Sequence, residues 1–404
     1  MQDSLGNTLT TGSADALRLV DSAIDLHVRA WPGALDAAEQ ATDADPELAL
    51  AHALQGLIHA MWGRRSIAEA CMSRARGCAR RTSAREGSLL ELIEHITRGR
   101  THAGLAWLLA HLRRYPADML ALSTGTGAYG LFAFSGRADH NELRLALLDE
   151  LEPSYPPEFA WLLAYRGWTR IELGAVDEGL AMALRAIGLC PQNAHNAHIV
   201  AHGFHEGRRP AEYLNFLSEW LPGYPADALM WCHLQWHAAI AELELGDDSA
   251  ARTRCFSELL SHLPQSAPFM ALADGPSLLW RLKLRGIDGL PWGSMAQHAR
   301  DHFPNGSNVF GEVHLAMVAS ATGDHEALSR CALRLERLAG EGHLGARAGI
   351  PWAAALAALL AGKQDQAERL FEECEGDAVR LGGSHAQRSI VSATRDAARC
   401  RTDG

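Results

Sequence analysis

The amino-acid sequence predicts an all-α fold made of stacked helical hairpins. Apolar residues recur at helical spacing along almost the whole chain, and no segment alternates apolar and polar residues as a half-buried strand does. Gly or Pro interrupts the pattern at short intervals. The chain has 404 residues, of which 48% are hydrophobic, so it can bury a large core.

One unit recurs along the chain: a helix, a glycine turn, a second helix with a small residue near its start, and often a closing proline. In residues 158–189 the turn is at Gly174, the small residue is Gly179 and Pro191 follows. Comparable turns contain Gly63, Gly246, Gly323 and Gly362. A small residue at this place lets two helices approach closely, as in hairpins of the tetratricopeptide type. One hairpin cannot bury its apolar face alone, so we expect the copies to stack into a curled superhelix, an α-solenoid.

The sequence predicts one repeat array rather than several domains. No low-complexity linker divides residues 14–404, which we expect to form a single continuous array with a His-rich central part at about 192–245. The polar residues 1–13 precede the first helical pattern and are predicted to be a disordered N-terminus.

Charge and cysteine usage limit the partners and the compartment. The net charge of −11 gives no electrostatic footprint for nucleic acid, and the arginine-rich residues 74–85 have glutamates nearby, as a solvated helix face does. The chain has no apolar run of about 18 residues and no signal peptide pattern at its start. The eight cysteines lie singly, without CxxC spacing, which is typical of reduced thiols. We therefore expect a cytoplasmic protein with no nucleic-acid or membrane partner; its oligomeric state is left open.

Two histidine pairs are the best indication of a site. His198 and His202 are four residues apart, and so are His233 and His237. On an α-helix this spacing places both rings of a pair on one face, and Glu206 continues the first face by one more turn. A helical repeat fold does not require such pairs, so we predict that the four rings open to a common pocket.

Two kinds of chemistry fit this set of side chains. Imidazole is a suitable ligand for Zn, Fe, Cu or Ni, and His202 and His237 are the first candidates for binding a metal ion. Without a metal, one histidine can act as a general base that a carboxylate orients. The His-Glu-x-x-His motif of zinc proteases is absent, and no nucleotide-binding motif occurs, so a transition metal is the one cofactor that stays open.

Further polar residues in the C-terminal half are candidates for the same site. They are Asp274, Glu312, His314 and Arg388, with Trp236 as a ligand-stacking residue whose alternative is burial in the core. Ser384 has the position of a helix N-cap, and Arg388 follows one turn later. A helix N-terminus with an arginine beside it suits a carboxylate or a phosphate group.

Four motifs give the chain a family resemblance. They lie in residues 198–206, 227–237, 274–282 and 381–388, the last reading Leu-Gly-Gly-Ser-His-Ala-Gln-Arg. With these motifs the chain resembles the tetratricopeptide-repeat protein 38 family from roughly Ser83 to its C-terminus. The resemblance implies an all-α repeat fold and supplies no reaction.

Two functions from different classes follow. The first is a helical-repeat protein whose His-rich polar pocket binds a small molecule or a metal, with enzymatic activity through His198, His202, Glu206, His233 and His237 left open. The alternative is an adaptor that binds a peptide or protein partner on its concave face, as helical repeats commonly do. The distinctive polar residues here are His, Glu and Trp rather than the Asn, Lys and Arg typical of peptide-binding grooves, which favours the first function.

Overall fold

The computed structural model describes residues 1–399, which contain 22 α-helices. The first eleven are α1 Ala14–Val28, α2 Ala34–Ala44, α3 Ala49–Met61, α4 Arg65–Cys78, α5 Ala84–Thr97, α6 Thr101–Arg114, α7 Met119–Thr126, α8 His140–Leu151, α9 Ala160–Glu172, α10 Val176–Leu189 and α11 Ala194–Glu206. The other eleven are α12 Pro210–Trp220, α13 Trp231–Glu244, α14 Asp248–Arg254, α15 Pro268–Leu284, α16 Trp292–His302, α17 Val309–Thr322, α18 His325–Gly340, α19 Ala346–Leu360, α20 Gln364–Gly376, α21 His385–Arg388 and α22 Ile390–Arg399. Within residues 1–399 there is no strand, and one isolated bridge pairs Gln2 with Thr8. The all-α prediction is confirmed.

The turns between paired helices share one backbone geometry. After α9, the N–H of Gly174 donates to the carbonyl of Ile171 (3.0 Å) and the N–H of Ala175 to that of Arg170 (2.9 Å). Gly174 has a φ of 90°, which favours glycine, so this is a Schellman turn. The second of these bonds, from an N–H to the carbonyl five residues earlier, recurs at 2.9 Å after α3, α5, α11, α13, α17 and α19. The repeating unit predicted from the glycine spacing is therefore present along the array.

Small residues let the two helices of a hairpin pack closely. A Cβ atom on Gly167 of α9 would lie 2.7 Å from the carbonyl oxygen of Gly179 in α10, and one on Gly179 would lie 2.4 Å from that of Gly167. Neither contact is tolerable for a real methyl group, so the α9–α10 spacing requires both glycines. The role predicted for the small residue after the turn is confirmed here.

The array divides into two compact units, where the sequence predicts a single one. Unit 1 contains residues 1–131, 142–203 and 223–230, and unit 2 contains the described parts of 132–141, 204–222 and 231–404. The chain passes from one unit to the other several times, without a polar linker at the crossings. For this reason composition gives no signal of the division.

Residues 1–13 have defined contacts in unit 1, although their composition predicts disorder. The amino group of Met1 donates to the carbonyl of Leu9 (3.0 Å), and Asp3 accepts the N–H of Asn7 (2.7 Å). The N–H of Thr10 donates to Glu86 in α5 (3.0 Å). The bond to Glu86 joins residues 76 positions apart, and the other two belong to no helix, which is why a polar stretch without helical periodicity gives no sign of them.

In unit 2 the loop before α21 fits tightly against aromatic rings. Gly382 and Gly383 have φ values of 90° and 70°. A Cβ atom on Gly382 would lie 2.7 Å from Phe134, and one on Gly383 would lie 2.6 Å from Phe310. The two glycines thus allow α21 to start beside α17.

None of the described helices combines the length and the apolar composition that crossing a bilayer requires. The seven cysteines within the described residues are free, and Cys400 lies outside them.

Candidate functional site

The first histidine pair lies in the core of unit 1, on α11. His198 and His202 have exposed fractions of 7% and 0%, and their Nε2 atoms are 2.9 Å apart. In such a contact one ring donates a proton and the other accepts it, so the accepting nitrogen is unprotonated. The i,i+4 spacing brings the two rings together as predicted. We refer to His198 and His202 as the α11 pair.

Polar and aromatic side chains surround the α11 pair within unit 1. The ring of Trp168 lies 6.2 Å from that of His202, and the guanidinium of Arg144 lies 4.0 Å from the Trp168 ring. Arg144 also donates to the hydroxyl of Thr169 (3.0 Å). A carboxylate oxygen of Glu172 lies within 4.8 Å of a ring nitrogen of His202. Unit 1 therefore has imidazole and carboxylate groups near His202 that could act as metal ligands.

The second pair lies in unit 2, on α13, and each of its members contacts a polar group from another helix. Nδ1 of His233 donates to Oδ1 of Asp274 in α15 (2.8 Å), and the two residues have exposed fractions of 2% and 1%. Nδ1 of His237 forms a short hydrogen bond with the hydroxyl of Tyr213 in α12. The two imidazole rings meet edge to face at 4.9 Å. The predicted His233, His237 and Asp274 are thus brought together.

These contacts decide which ring nitrogen of His233 carries the proton, whereas His237 can adopt either tautomer. A carboxylate can only accept, so His233 holds its proton on Nδ1 and presents the lone pair of Nε2 when the ring is neutral. Burial raises the pKa of Tyr213 well above its usual value, so the phenol stays protonated at neutral pH. An unionised hydroxyl can either donate to His237 or accept from it, and this freedom lets His237 change tautomer.

Trp236 is packed between functional groups rather than exposed. Its ring stacks on that of His233 at 5.6 Å with an interplanar angle of 3°, and the guanidinium of Arg281 lies 5.4 Å from its centre. Trp236 is fully buried, and within the described residues its indole N–H has no acceptor. Its predicted role as a ligand-stacking residue stays a prediction.

Arg281 is a residue of this region that the sequence does not single out. From α15 it donates to the hydroxyl of Ser277 (2.5 Å), to the carbonyl of Ala386 in α21 (2.8 Å) and to the hydroxyl of Ser389 (3.1 Å). Burial lowers its pKa to about 10, so it remains charged at neutral pH. Arg281 belongs to the motif of residues 274–282 but was not predicted as a site residue. We call Asp274, His233, Trp236, His237 and Arg281 the α13–α15 site.

His314 and Glu312, both in α17, have different partners. His314 donates from Nδ1 to the carbonyl of Phe310 (2.8 Å), and burial lowers its pKa to about 4, with a smaller contribution from the charge of Arg281. It is therefore neutral at pH 7. Glu312 is fully buried and accepts from Arg334 (2.8 Å), and its predicted place in the site stays a prediction.

The remaining predicted residues of unit 2 form contacts of their own. Glu206 accepts from Nδ1 of the exposed His385 (2.9 Å). Ser384 caps α21 in a capping box with Gln387, which confirms the predicted N-cap. Arg388 donates to the carbonyl of Gly383 (2.6 Å). Its predicted role in holding a ligand anion stays a prediction.

The predicted metal ligands His202 and His237 belong to different units. Each unit by itself shows one histidine pair with its own partners. The common pocket for all four rings, and the metal ion bound by His202 and His237, therefore stay predictions.

No protein-family model matches the chain. Three solved structures are similar to it. The first is a tetratricopeptide repeat protein from Parabacteroides merdae, with 15% identity, 77% of this chain and 98% of that chain covered, and a TM-score of 0.35. The second is Naa15/Naa10 bound to HypK-THB, with 10% identity and a TM-score of 0.25. The similarity covers 93% of this chain and 60% of that chain, so this chain spans less than two thirds of that chain's length. The third is the TPR domain of P58(IPK), with 14% identity, 96% of this chain and 99% of that chain covered, and a TM-score of 0.22.

All three TM-scores are below 0.5, so these similarities carry no argument about this chain. The repeat fold rests on the hairpin geometry of the chain itself. Its likeness to the tetratricopeptide-repeat protein 38 family remains a resemblance, and what can be concluded is that the chain is an all-α protein of tetratricopeptide-like hairpins.

Proposed function

We propose that this helical-repeat protein binds a small polar molecule at the α13–α15 site and uses His233 as a general base. The observation that carries the proposal is the 2.8 Å contact between the buried His233 and Asp274. A carboxylate that accepts from Nδ1 fixes the ring orientation and stabilises the imidazolium that forms when Nε2 takes a proton. Burying an ionisable pair is costly, and a structural role alone is better served by apolar side chains.

His237 and Tyr213 support the same proposal. Two adjacent imidazoles, each with a hydrogen-bonded Nδ1, can accept and pass on a proton. The phenol of Tyr213 keeps its proton at neutral pH and can follow a tautomer change of His237 without gaining charge.

The test is the hydrolysis of p-nitrophenyl acetate, an ester probe that imidazole bases act on. We expect His233→Gln to abolish the rate in excess of background, and Asp274→Asn to lower it about 10- to 100-fold. The matched control is His325→Gln, which removes an exposed histidine at the start of α18. Equal rates in all four proteins would overturn the proposal.

A metal-dependent form of the proposal uses His202 and His237 as ligands. The α11 pair supports it, because two imidazole nitrogens bound to one tetrahedral ion at ~2.0–2.1 Å lie about 3.3 Å apart, and the two Nε2 atoms, 2.9 Å apart, need to separate only slightly. Elemental mass spectrometry of untagged protein tests it, with the double variant His202→Ala/His237→Ala as comparison. We expect metal in the wild type only if this form is correct, and equal metal content in the two proteins rules it out.

One observation favours the adaptor as the second candidate. Two neighbouring hairpin turns of unit 1 carry exposed arginines, Arg64 and Arg65 after α3, and Arg98 and Arg100 after α5. Arg98 pairs with Glu94 (2.8 Å), whereas the other three form no ion pair within 4 Å among the described residues. Turns between paired helices lie at one edge of a stack, so this edge suits an acidic segment of a protein partner.

A labelled oligoglutamate peptide tests the adaptor function by fluorescence anisotropy. If this function is correct, the triple variant Arg64→Gln/Arg65→Gln/Arg100→Gln loses binding. The control Arg113→Gln/Arg114→Gln, at the opposite end of α6, keeps it. An absence of binding to the wild type removes this candidate.

A further inference from the structure

Arg281 carries a positive charge that no carboxylate neutralises by contact. All its hydrogen bonds within the described residues go to neutral acceptors, the hydroxyls of Ser277 and Ser389 and the carbonyls of Ser277 and Ala386. It forms no ion pair within 4 Å in that part of the chain. Proteins normally pair a desolvated cation with an anion, so this arrangement lacks a partner of opposite charge.

Trp236 adds an unsatisfied donor at the same place. Its indole N–H is fully buried and has no acceptor within residues 1–399, although buried tryptophan usually finds one. The guanidinium of Arg281 lies over this indole. A half-buried cation and a buried N–H donor without an acceptor in the described part of the chain lie beside each other, and an anionic acceptor complements both.

The nearby carboxylates of Asp274 and Glu244 contact histidines rather than Arg281. Asp274 accepts from His233, and Glu244, whose charge attracts Arg281 from a distance, contacts Nδ1 of His205 at 2.6 Å. His314, which also faces Arg281, is neutral. A neutral imidazole and two carboxylates that contact histidines leave Arg281 without an ion-pair partner within 4 Å among the described residues.

We propose that the ligand of the α13–α15 site is a small anion, which binds against the Arg281 guanidinium and accepts a hydrogen bond from the indole N–H of Trp236. The proposal rests on the proposed function, since it names the ligand class of that site. His233 and Arg281 both border the Trp236 ring, at 5.6 and 5.4 Å from its centre. The charged end of the anion binds at Arg281, which is partly exposed, and its reacting atom lies towards His233.

Carboxylate and phosphate share this chemistry, and calorimetric titration separates them. Sodium acetate and sodium phosphate are titrated into untagged full-length protein, with sodium chloride of equal ionic strength as reference. We expect saturable binding of one anion or both in the wild type. Acetate without phosphate identifies an organic acid as the ligand class, and phosphate without acetate identifies a phosphate ester.

Variants of the site locate the binding. Arg281→Gln is expected to weaken the affinity by at least about tenfold, and Arg281→Lys, which keeps the charge but not the planar fork, by less. The matched control is Lys283→Gln, which removes another cation of the same helix, one that lies over Trp280. Its affinity should equal that of the wild type.

A variant with an intact Arg281 guards against misfolding. Trp236→Phe keeps an aromatic ring and loses the N–H, and it should weaken anion binding while far-UV circular dichroism stays unchanged. Wild-type affinity in Arg281→Gln, or no saturable binding of either anion, overturns the proposal. If the ester probe still depends on His233 in that case, the proposed function survives and only the ligand class is wrong. If anions bind at Arg281 but the probe ignores His233, the general-base function is wrong instead.

Discussion

His233 and His314 both donate a hydrogen bond from Nδ1, but the two acceptors differ in charge. The acceptor for His233 is the charged carboxylate of Asp274, whereas His314 donates to the neutral backbone carbonyl of Phe310, which raises the pKa of His314 less than burial lowers it. Burial therefore dominates at His314 and lowers its pKa to about 4. The same residue type is a proton acceptor at one position and a neutral core residue at the other.

This difference predicts how stability depends on pH at His314. Between pH 6.5 and about 4 the unfolded chain binds a proton at this residue and the folded protein does not, so the wild type loses stability as the pH falls through that range. His314→Gln lacks this loss. We expect the stability difference between wild type and variant to shift in favour of the variant by up to ~3 kcal/mol from pH 7 to pH 4.5.

Urea unfolding at pH 7, 5.5 and 4.5 measures this shift, with His325→Gln as an exposed control whose difference from the wild type should stay constant. A His314→Gln difference that does not change with pH would show that folding does not lower the pKa of His314.

What the sequence reveals at this scale is set by local geometry. The i,i+4 spacing predicted that His198 meets His202 and that His233 meets His237, because helix geometry alone fixes it. Asp274 was predicted as a member of the site, but its pairing with His233 was not. Tyr213 and Arg281 were missed, since their contacts depend on how α12, α15 and α21 pack.

At the scale of the helix, the hairpins are determined by where glycine removes a side chain. Gly179 in α10 faces the backbone of Gly167 in α9, whereas Gly188, also in α10, is exposed and has no atom within 4 Å of the place where its Cβ would be. The two glycines of α10 therefore differ in packing but not in secondary structure.

We predict opposite effects for the same substitution at these two positions. Gly179→Ala forces the α9–α10 hairpin apart and should lower the free energy of unfolding by about 1–3 kcal/mol. Gly188→Ala should raise it by roughly 0.5–1 kcal/mol, because alanine has the higher helix propensity. Thermal unfolding of both variants measures the effects. A stabilising Gly179→Ala would contradict the close approach of the two helices.

The hairpin turns were predictable because glycine, the residue that allows them to form, can be seen in the sequence. The Schellman turns need a residue with positive φ, and glycine at that place is visible in the sequence. The N-terminal residues 1–13 show the opposite case. Their bonds to Glu86 and to one another depend on partners that only folding brings near.

At the scale of the whole molecule, thiol reactivity reports on burial. Five of the seven described cysteines are buried, and burial raises the pKa of Cys255, Cys331 and Cys374 to about 12. A buried thiol that is not ionised reacts slowly with disulfide reagents.

We predict that these five thiols react with Ellman's reagent much more slowly in the native protein than in denaturant. After denaturation without reductant, all eight cysteines of the chain should be titrated. A lower total would show that a disulfide is present, and rapid reaction of all thiols in the native protein would contradict the packing of both units.

The division into two units was not predictable from composition, because no linker marks it and each unit contains discontinuous parts of the chain. The repeat and the histidine pairs could be predicted from the sequence. Which side chains from distant hairpins accompany each pair is a property of the folded molecule.

The most direct test of the central claim, that Asp274 prepares His233 for proton transfer, is the tautomer of His233. Nitrogen-15 spectra of histidine-labelled protein, with the His233→Gln spectrum subtracted, isolate the two ring nitrogens of this residue. The claim predicts a protonated Nδ1 and an unprotonated Nε2 in the neutral ring, and a change of this pattern in Asp274→Asn. A proton on Nε2 in the wild type, or a pattern that Asp274→Asn leaves unchanged, would contradict the claim.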